Sequence, residues 1–402
     1  MKTVDLVYFN AGGGHRAAAQ ALAGAITAQG RPWRVRQVNL FDALDPKARF
    51  ERLTGMPPEA YYNQRLARGW TLGLAQELKL LQASIRLAHK TLVRRLQLHW
   101  LADEPDLVVS LVPNFNRALQ EALATTLPGV PFATVLTDLA DMPPRFWIES
   151  RPGAHLICGT ADAVRQALAL GHQPSHVHAV SGMLLRHDFH RPPPSVEERA
   201  AARRAAGLAP DAFVPIVMFG GHGARAMKTI ARTLANTPLI LMCGHNAVLA
   251  EALRAMPSQA TRIVLGHTPE VAHWMRLADV FIGKPGPGSL SEALQCGLPV
   301  ITCRNAFTLP QERFNTEWVR RQGVGVVVSD FEDIADAIAE VRANAPALQR
   351  AVAGLRNTAA DEVPRVLECL MAQAESAHGD PVHPLARTPS LSGAPERDPI
   401  CP

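Results

Sequence analysis

Short apolar runs rich in β-branched residues alternate with segments of helix length, and this alternation constrains the chain more than any other feature. Residues 4–9, 34–40, 106–112, 132–136 and 155–158 read as strands. The rhythm stops at the Pro-rich stretch His-Arg-Pro-Pro-Pro-Ser of residues 190–195. It resumes with strands at 213–219, 239–243, 262–266, 280–283, 299–302 and 325–328. Strand, helix, strand repetition of this kind builds a parallel sheet covered by helices on both faces, so the pattern predicts two Rossmann-like α/β halves joined by a stiff linker. With 402 residues, 47% hydrophobic and only 5% aromatic, there is ample apolar material for two layered cores and little for an aromatic-rich β-sandwich.

The six cysteines, at 158, 243, 296, 303, 369 and 401, fall singly and never as Cys-x-x-Cys. That argues against a disulfide framework or a zinc site and for a reducing cytoplasm. The first ten residues carry no signal-peptide pattern, and no stretch reaches about 18 uninterrupted apolar residues, so no membrane span is expected. A net charge of +5 permits an anionic partner without choosing among nucleotide, nucleic acid and acidic lipid.

Residues 61–100 break the rhythm. They read as helical throughout and carry Arg65, Arg68, Lys79, Arg86, Lys90, Arg94 and Arg95 against one acid, Glu77. Ile85, Ala88, Leu92, Leu96 and Trp100 form an apolar face beside the stripe Arg86, Lys90, Arg94, with Trp70 upstream. Two readings are open: a basic amphipathic helix lying on an anionic membrane, or a helix packed on its own domain with a solvated basic face.

Two Gly-rich turns follow strands and open helices. In Asn10-Ala-Gly-Gly-Gly-His15, Gly13 and Gly14 let backbone N–H groups approach an anion or sugar at a helix N-terminus. His15 at the lip has the intrinsic pKa of a general base, though a lone histidine is also a common structural residue. In Lys284-Pro-Gly-Pro-Gly-Ser-Leu-Ser-Glu292, Gly286 and Gly288 clear space and the N–H groups of 288–290 are placed for a diphosphate, while Glu292 could accept from both ribose hydroxyls. Ser289 and Glu292 equally fit a Ser-x-x-Glu capping box that needs no ligand.

In order along residues 4–345 stand Gly12-Gly-Gly-His15-Arg-Ala-Ala-Ala-Gln-Ala-Leu22, Pro105-Asp-Leu-Val-Val-Ser110, Val135-Leu-Thr-Asp138, Gly182 with Arg186 and Phe189, Phe219-Gly-Gly-His-Gly223, Cys243-Gly-His-Asn246, Trp274, Lys284 to Pro299, and Gln311-Glu312 with Asn315. This series resembles glycosyltransferase family 28, and within it the monogalactosyldiacylglycerol synthases and bacterial diacylglycerol glucosyltransferases. The resemblance implies a GT-B fold, two Rossmann-like domains facing across a cleft. It implies an N-terminal acceptor domain over 1–180, a linker at 181–195, a UDP-sugar domain over 196–345 and a helical segment, 346–375, returning to the first domain. The six prolines of 376–402 predict a disordered tail.

Carried over by position, Glu292 would bind ribose and Gly288 and Ser289 the diphosphate. Gln311, Glu312 and Asn315 would hold the donor sugar, and Gly220, Gly221 and Gly223 the other side of the phosphates. The stretch ending at His267 would meet uracil. His15 would deprotonate the acceptor hydroxyl, with Asp138 orienting it, contacting the acceptor or capping the following turn.

The implied reaction is inverting transfer of a hexose from a UDP-hexose to diacylglycerol or a related lipid. It would run without metal or other cofactor, since no Asp-x-Asp occurs in the chain. The enzyme would sit on the inner face of the plasma membrane, peripheral to an anionic surface, with no nucleic acid as partner. His222 stands where Glu is usual, Leu184 replaces Pro, and Val112 replaces His. The segment after Asp138 lacks the usual His before its Trp, and Thr308-Leu-Pro stands where Pro-Gly precedes Gln311. A UDP-sugar epimerase of the same build and a non-catalytic sugar-nucleotide or lipid-binding protein are the rival readings.

Overall fold

The computed structural model describes residues 1–10, 13–57, 59–60, 74–149 and 153–379. Among these residues twelve strands form two six-stranded sheets. The first holds β1 (Lys2–Tyr8), β2 (Trp33–Asn39), β3 (Leu107–Ser110), β4 (Phe132–Val135), β5 (His155–Cys158) and β6 (Val177–Ala179) in the order β2-β1-β3-β4-β5-β6. The second holds β7 (Pro215–Met218), β8 (Leu239–Met242), β9 (Arg262–Leu265), β10 (Val280–Gly283), β11 (Val300–Cys303) and β12 (Gly325–Val328), ordered β12-β11-β10-β7-β8-β9. Every pairing is parallel. Leu107 to Ser110 and Val280 to Gly283 are buried at every position, as strands covered on both faces must be, which is why they read as continuous apolar runs. β6 was not anticipated: it has three residues and lies at an edge.

The order of each sheet decides where a ligand can sit. In the second sheet the strand order reverses between β7 and β10, so the loops Gly220–Gly223 and Lys284–Ser289 lie side by side beyond neighbouring strand ends. In the first, β1 and β3 flank the reversal, and the loop leading to His15 leaves it. Crevices at such reversal points are the ligand sites of open α/β sheets.

Ser195 caps the helix Val196–Ala205 in a full capping box with Glu198 after the Pro-rich stretch. Near the end of the chain, the helix Ala345–Ala353 still packs on the second sheet through Leu348 and Val352. The chain then returns, and Val363, Val366, Leu367 and Leu370 of the helix Ala359–Gly379 pack against Ala18, Leu22 and Ile26. The last helix therefore braces the helix that begins beside His15. Residues 376–379, expected in the tail, are helical, and 380–402 lie outside the described residues.

The cysteine reading needs one correction. Cys158, Cys243, Cys296 and Cys303 are free, but Cys369 is disulfide-bonded.

Residues 74–103 are two helices, Leu74–Leu87 and His89–Asp103, broken at Ala88. Val93, Leu96 and Trp100 enter the core beneath the first sheet, with Ile85 and Leu92 packed at its margin. Trp100 is 1% exposed, so it does not anchor at a lipid headgroup, and the apolar face read from the sequence is mostly an inner face. The basic stripe is exposed at Arg86, Lys90, Arg94 and Arg95. Arg65, Arg68 and Trp70 lie outside the described residues. Among the described residues no helix is long and apolar enough to cross a membrane.

Candidate active site

The helix Gly14–Ala28 starts from Gly13, whose φ of 80° is the left-handed conformation that glycine adopts without strain. No side chain caps this terminus. The approach to it is pinned by Glu59, 9% exposed, whose carboxylate accepts from the Asn10 N–H at 2.6 Å and from Asn39 Nδ2 at 3.2 Å.

The His15 ring lies in an aromatic and hydroxyl pocket. Its Nδ1 is 3.2 Å from Thr137 Oγ1, a bond whose donor depends on the ring tautomer. Phe9 lies at 4.6 Å between centroids and Trp147 at 5.7 Å. Burial pushes the imidazole pKa down to about 4, against an opposing contribution from the Leu111 backbone carbonyl. The ring is therefore neutral near pH 7 and keeps a nitrogen lone pair.

Asp138 is not bonded to His15. Its Oδ2 accepts from the Trp147 indole N–H at 2.7 Å, so Trp147 stands between the two. Burial raises the Asp138 pKa to about 7, partly offset by the Trp147 hydrogen bond. Smaller contributions come from Glu312, which raises it, and Lys284, which lowers it. Those two residues belong to the second sheet, so this carboxyl feels charge across the cleft. The loop holding Trp147 is folded around Asp141, 2% exposed, whose oxygens accept from the backbone N–H groups of Arg145 and Trp147 at 2.7 and 2.6 Å.

On the second sheet, Lys284 Nζ and Glu312 Oε1 form a 2.7 Å ion pair, Glu312 being buried. Asn315 Nδ2 donates to the Pro285 carbonyl at 2.7 Å, tying the Gly-rich turn to the helix Arg313–Gln322. Gln311 lies half-buried beside Glu312 in the short turn Pro310–Glu312.

The helix Pro287–Gln295 begins two residues before Ser289, with Gly286 at the cap and no side-chain cap bond. This removes the capping-box reading, because Ser289 already lies inside the helix. The first intrahelical bond runs from Leu290 N to Gly286 O at 3.0 Å. The Leu290 N–H is therefore taken, whereas those of Gly288 and Ser289 have no partner among the described residues. A Cβ at Gly288 would meet nothing within 4 Å. The Glu292 carboxylate makes no hydrogen bond among the described residues, and burial raises its pKa to about 7, with Arg186 opposing.

Gly220 and Gly223 frame the short turn Gly220–His222 with φ of 67° and 60°. Gly221 carbonyl accepts from His245 N at 2.8 Å, an approach so close that a Cβ on Gly244 would fall 2.2 Å from that oxygen. His267 is exposed and stacks on His245 at 4.1 Å, with His222 a further 6.0 Å from His245. Sequence reasoning did not single out this row, nor Glu59, nor Trp147 as the partner of Asp138. Glu59 and Asn10 are 49 residues apart, with no periodicity linking them.

No protein-family model matches the chain. It is 26% identical to a monogalactosyldiacylglycerol synthase of Spinacia oleracea over 358 residues, covering 84% of this chain and 66% of that protein. It is 29% identical over 248 residues to a probable monogalactosyldiacylglycerol synthase 2 of Oryza sativa subsp. japonica, covering 58% and 51%. The chain thus spans about half to two thirds of the length of these curated relatives. Among solved structures, the glycotransferase of kitacinnamycin aligns with TM-score 0.55 at 16% identity, covering 94% of this chain and 98% of that one. The spinosyn rhamnosyltransferase SpnG aligns with TM-score 0.52 at 14%, covering 92% and 100%. The fold is therefore GT-B, and the chain resembles glycosyltransferase family 28 through its monogalactosyldiacylglycerol synthases.

Proposed function

We propose that the chain transfers a hexose from a UDP-hexose to a lipid hydroxyl, most directly that of diacylglycerol, with inversion and without a metal. The observation that carries this reading is a neutral imidazole, His15, on the first sheet, near a carboxyl, Asp138, that senses Lys284 and Glu312 of the second. An acceptor activated on one side and a donor held on the other is what a displacement between two domains requires. Similarity to the galactolipid synthases supports the choice of acceptor.

Glu292 would receive the ribose hydroxyls, and the N–H groups of Gly288 and Ser289 the diphosphate as UDP leaves, at a helix end where negative charge is favoured. Gly220, Gly221 and Gly223 would close over the phosphates from the neighbouring strand, with His267 toward the base. Gln311, Glu312 and Asn315 would surround the sugar. A base with a pKa near 4 is weak unaided. Ionised Asp138, one indole away, would favour the imidazolium that forms as the acceptor proton is taken.

Diacylglycerol resides in a bilayer, so the enzyme would work as a peripheral protein on an anionic, cytoplasm-facing membrane. The deciding experiment measures UDP release from a panel of UDP-hexoses with and without diacylglycerol vesicles. Release that requires the acceptor supports the reading. Interconversion of the donor without acceptor makes the protein an epimerase, and UDP binding without turnover makes it a binding protein.

A further inference from the structure

Two helices, one on each sheet, carry the two halves of the site, and a salt bridge joins them. The helix Ala161–Ala169 holds the loop of Asp138 and Trp147. Its cap residue, Thr160, donates its hydroxyl to the Leu139 carbonyl. From the same helix Gln166 accepts from the Asp141 N–H at 2.8 Å and donates back to the Asp141 carbonyl at 3.3 Å. On the second sheet, the helix Arg313–Gln322 starts directly after Gln311 and Glu312 and contains Asn315.

Asp162, in the first turn of the former helix, pairs with Arg321 in the last turn of the latter. Each charge sits at the helix end whose dipole favours it. Each also has a second partner within its own half of the chain. Asp162 pairs with Arg165 on its own helix, and the Arg321 guanidinium lies 5.5 Å from the Phe314 ring centroid. The Asp162 side chain is 14% exposed and that of Arg321 49%, so water screens the bond in part. Separation of the helices leaves neither charge buried alone, and a contact of this kind can break and re-form as substrates pass.

We propose that Asp162 and Arg321 are positioning residues, whose pair sets the separation between the Asp138–Trp147 loop beside His15 and the donor-sugar residues Gln311, Glu312 and Asn315. The roles of those two groups rest on the function proposed above. In-line displacement tolerates little error in this separation, since a misplacement of about 1 Å can cost about a hundredfold in rate. Asp138 reports the same separation without any substrate, because its carboxyl feels Glu312 and Lys284 of the second sheet as well as its own desolvation.

The test compares the wild type with Asp162→Asn, Arg321→Gln and the double variant. In the ligand-free chain, the Asp138 carboxyl is titrated by difference infrared spectroscopy, with Asp138→Asn as the blank. Parting of the helices admits water and removes Glu312, whose charge outweighs that of Lys284 at this carboxyl, so each variant should titrate below the wild-type value of about 7. With a UDP-hexose and diacylglycerol vesicles, kcat should fall about tenfold to a hundredfold, while calorimetric UDP affinity and the melting temperature stay as in the wild type. The double variant should be no worse than either single one, as expected for two residues that act only through each other. Arg321→Lys, which keeps the charge, should recover most of the turnover.

A purely structural role for either residue would lower the melting temperature and leave the Asp138 titration in place. An unchanged titration in both single variants overturns the positioning role, and so does an unchanged kcat. Losses that add in the double variant overturn the pair. If the wild type turns over no UDP-hexose, the function proposed above fails, while the titration still decides whether the pair holds the two helices together.

Discussion

The Trp147 indole N–H donates to Asp138 Oδ2 at 2.7 Å, while the same side chain lies against the His15 ring. The carboxyl and the imidazole therefore communicate through an aromatic wall and not through a shared proton. Such an arrangement separates the task of holding charge from the task of moving it, and it makes the ionisation of Asp138 measurable in the absence of substrate.

A first consequence is a pH-dependent stability. The folded pKa of Asp138 is raised to about 7 from an ordinary 3.8, so the folded state binds the extra proton between those values. The contribution of this group to stability should be largest below about pH 4, fall as pH rises toward 7, and level off above it. Asp138→Asn keeps an acceptor for the indole and removes the titration. The variant should melt higher than the wild type at pH 8, by on the order of 3 kcal/mol from this group, with the difference vanishing near pH 4. Equal melting curves at pH 8 would show that the carboxyl ionises without cost.

For His15, replacement by Ala should leave UDP affinity unchanged and lower turnover by about two to four orders of magnitude, the range for a general base. Activity loss from protonation of His15 should set in near the depressed imidazole pKa of about 4 and not at the ordinary value, below the limb near 7 that Glu292 sets in the wild-type kcat/KM profile. A variant with normal turnover would remove His15 from the chemistry. Early melting would mark the ring as a packing element between Phe9 and Trp147.

Glu292 offers a third check, because it is half-buried, desolvation raises its pKa to about 7, and its carboxylate makes no hydrogen bond among the described residues. Ribose hydroxyls donating to the carboxylate would hold it ionised, so UDP binding should release a proton near pH 6 and strengthen as pH rises through 7. Glu292→Gln should flatten that difference and raise the donor constant about tenfold or more with little loss in kcat, as expected for uniform binding. Proton release persisting in Glu292→Gln would assign it to another group.

The strands were legible because parallel strands buried on both faces must be apolar at nearly every position: β5 and β10 fall where the sequence placed them. The Gly-rich turns were legible for a related reason, since few residues besides glycine open a helix beside a strand end so closely. β6 was not, because Val177, His178 and Ala179 are too few for a period. Trp100 misled because a membrane and a protein core select the same amphipathic spacing, and only the tertiary structure distinguishes them. The Lys284–Glu312 pair and the Asp138–Trp147 bond join residues with no periodic relation, so the sequence named their members without indicating who meets whom.

The last prediction concerns the bilayer. Trp100 is consumed by the core, so any membrane contact of the described residues must come from what remains outside. The helix Arg49–Thr54 exposes Phe50 at 45% and Leu53 at 87%, and the helix Leu74–Leu87 exposes Leu80, Leu81 and Leu87. Beside the latter runs the exposed stripe Arg86, Lys90, Arg94 and Arg95. Near an anionic leaflet each cation contributes about 1 kcal/mol, and the exposed apolar side chains can enter the headgroup region. Replacing the four cations by Gln should abolish sedimentation with anionic vesicles and leave UDP binding intact, because the residues proposed to hold the nucleotide belong to the other sheet. Leu53→Ser and Leu87→Ser should weaken sedimentation without altering its salt dependence, whereas Trp100→Ala should destabilise the fold by about 3–5 kcal/mol. A cation-free variant that sediments like the wild type would reduce the stripe to a solvated face, and a wild type indifferent to vesicles would point to an acceptor outside the membrane.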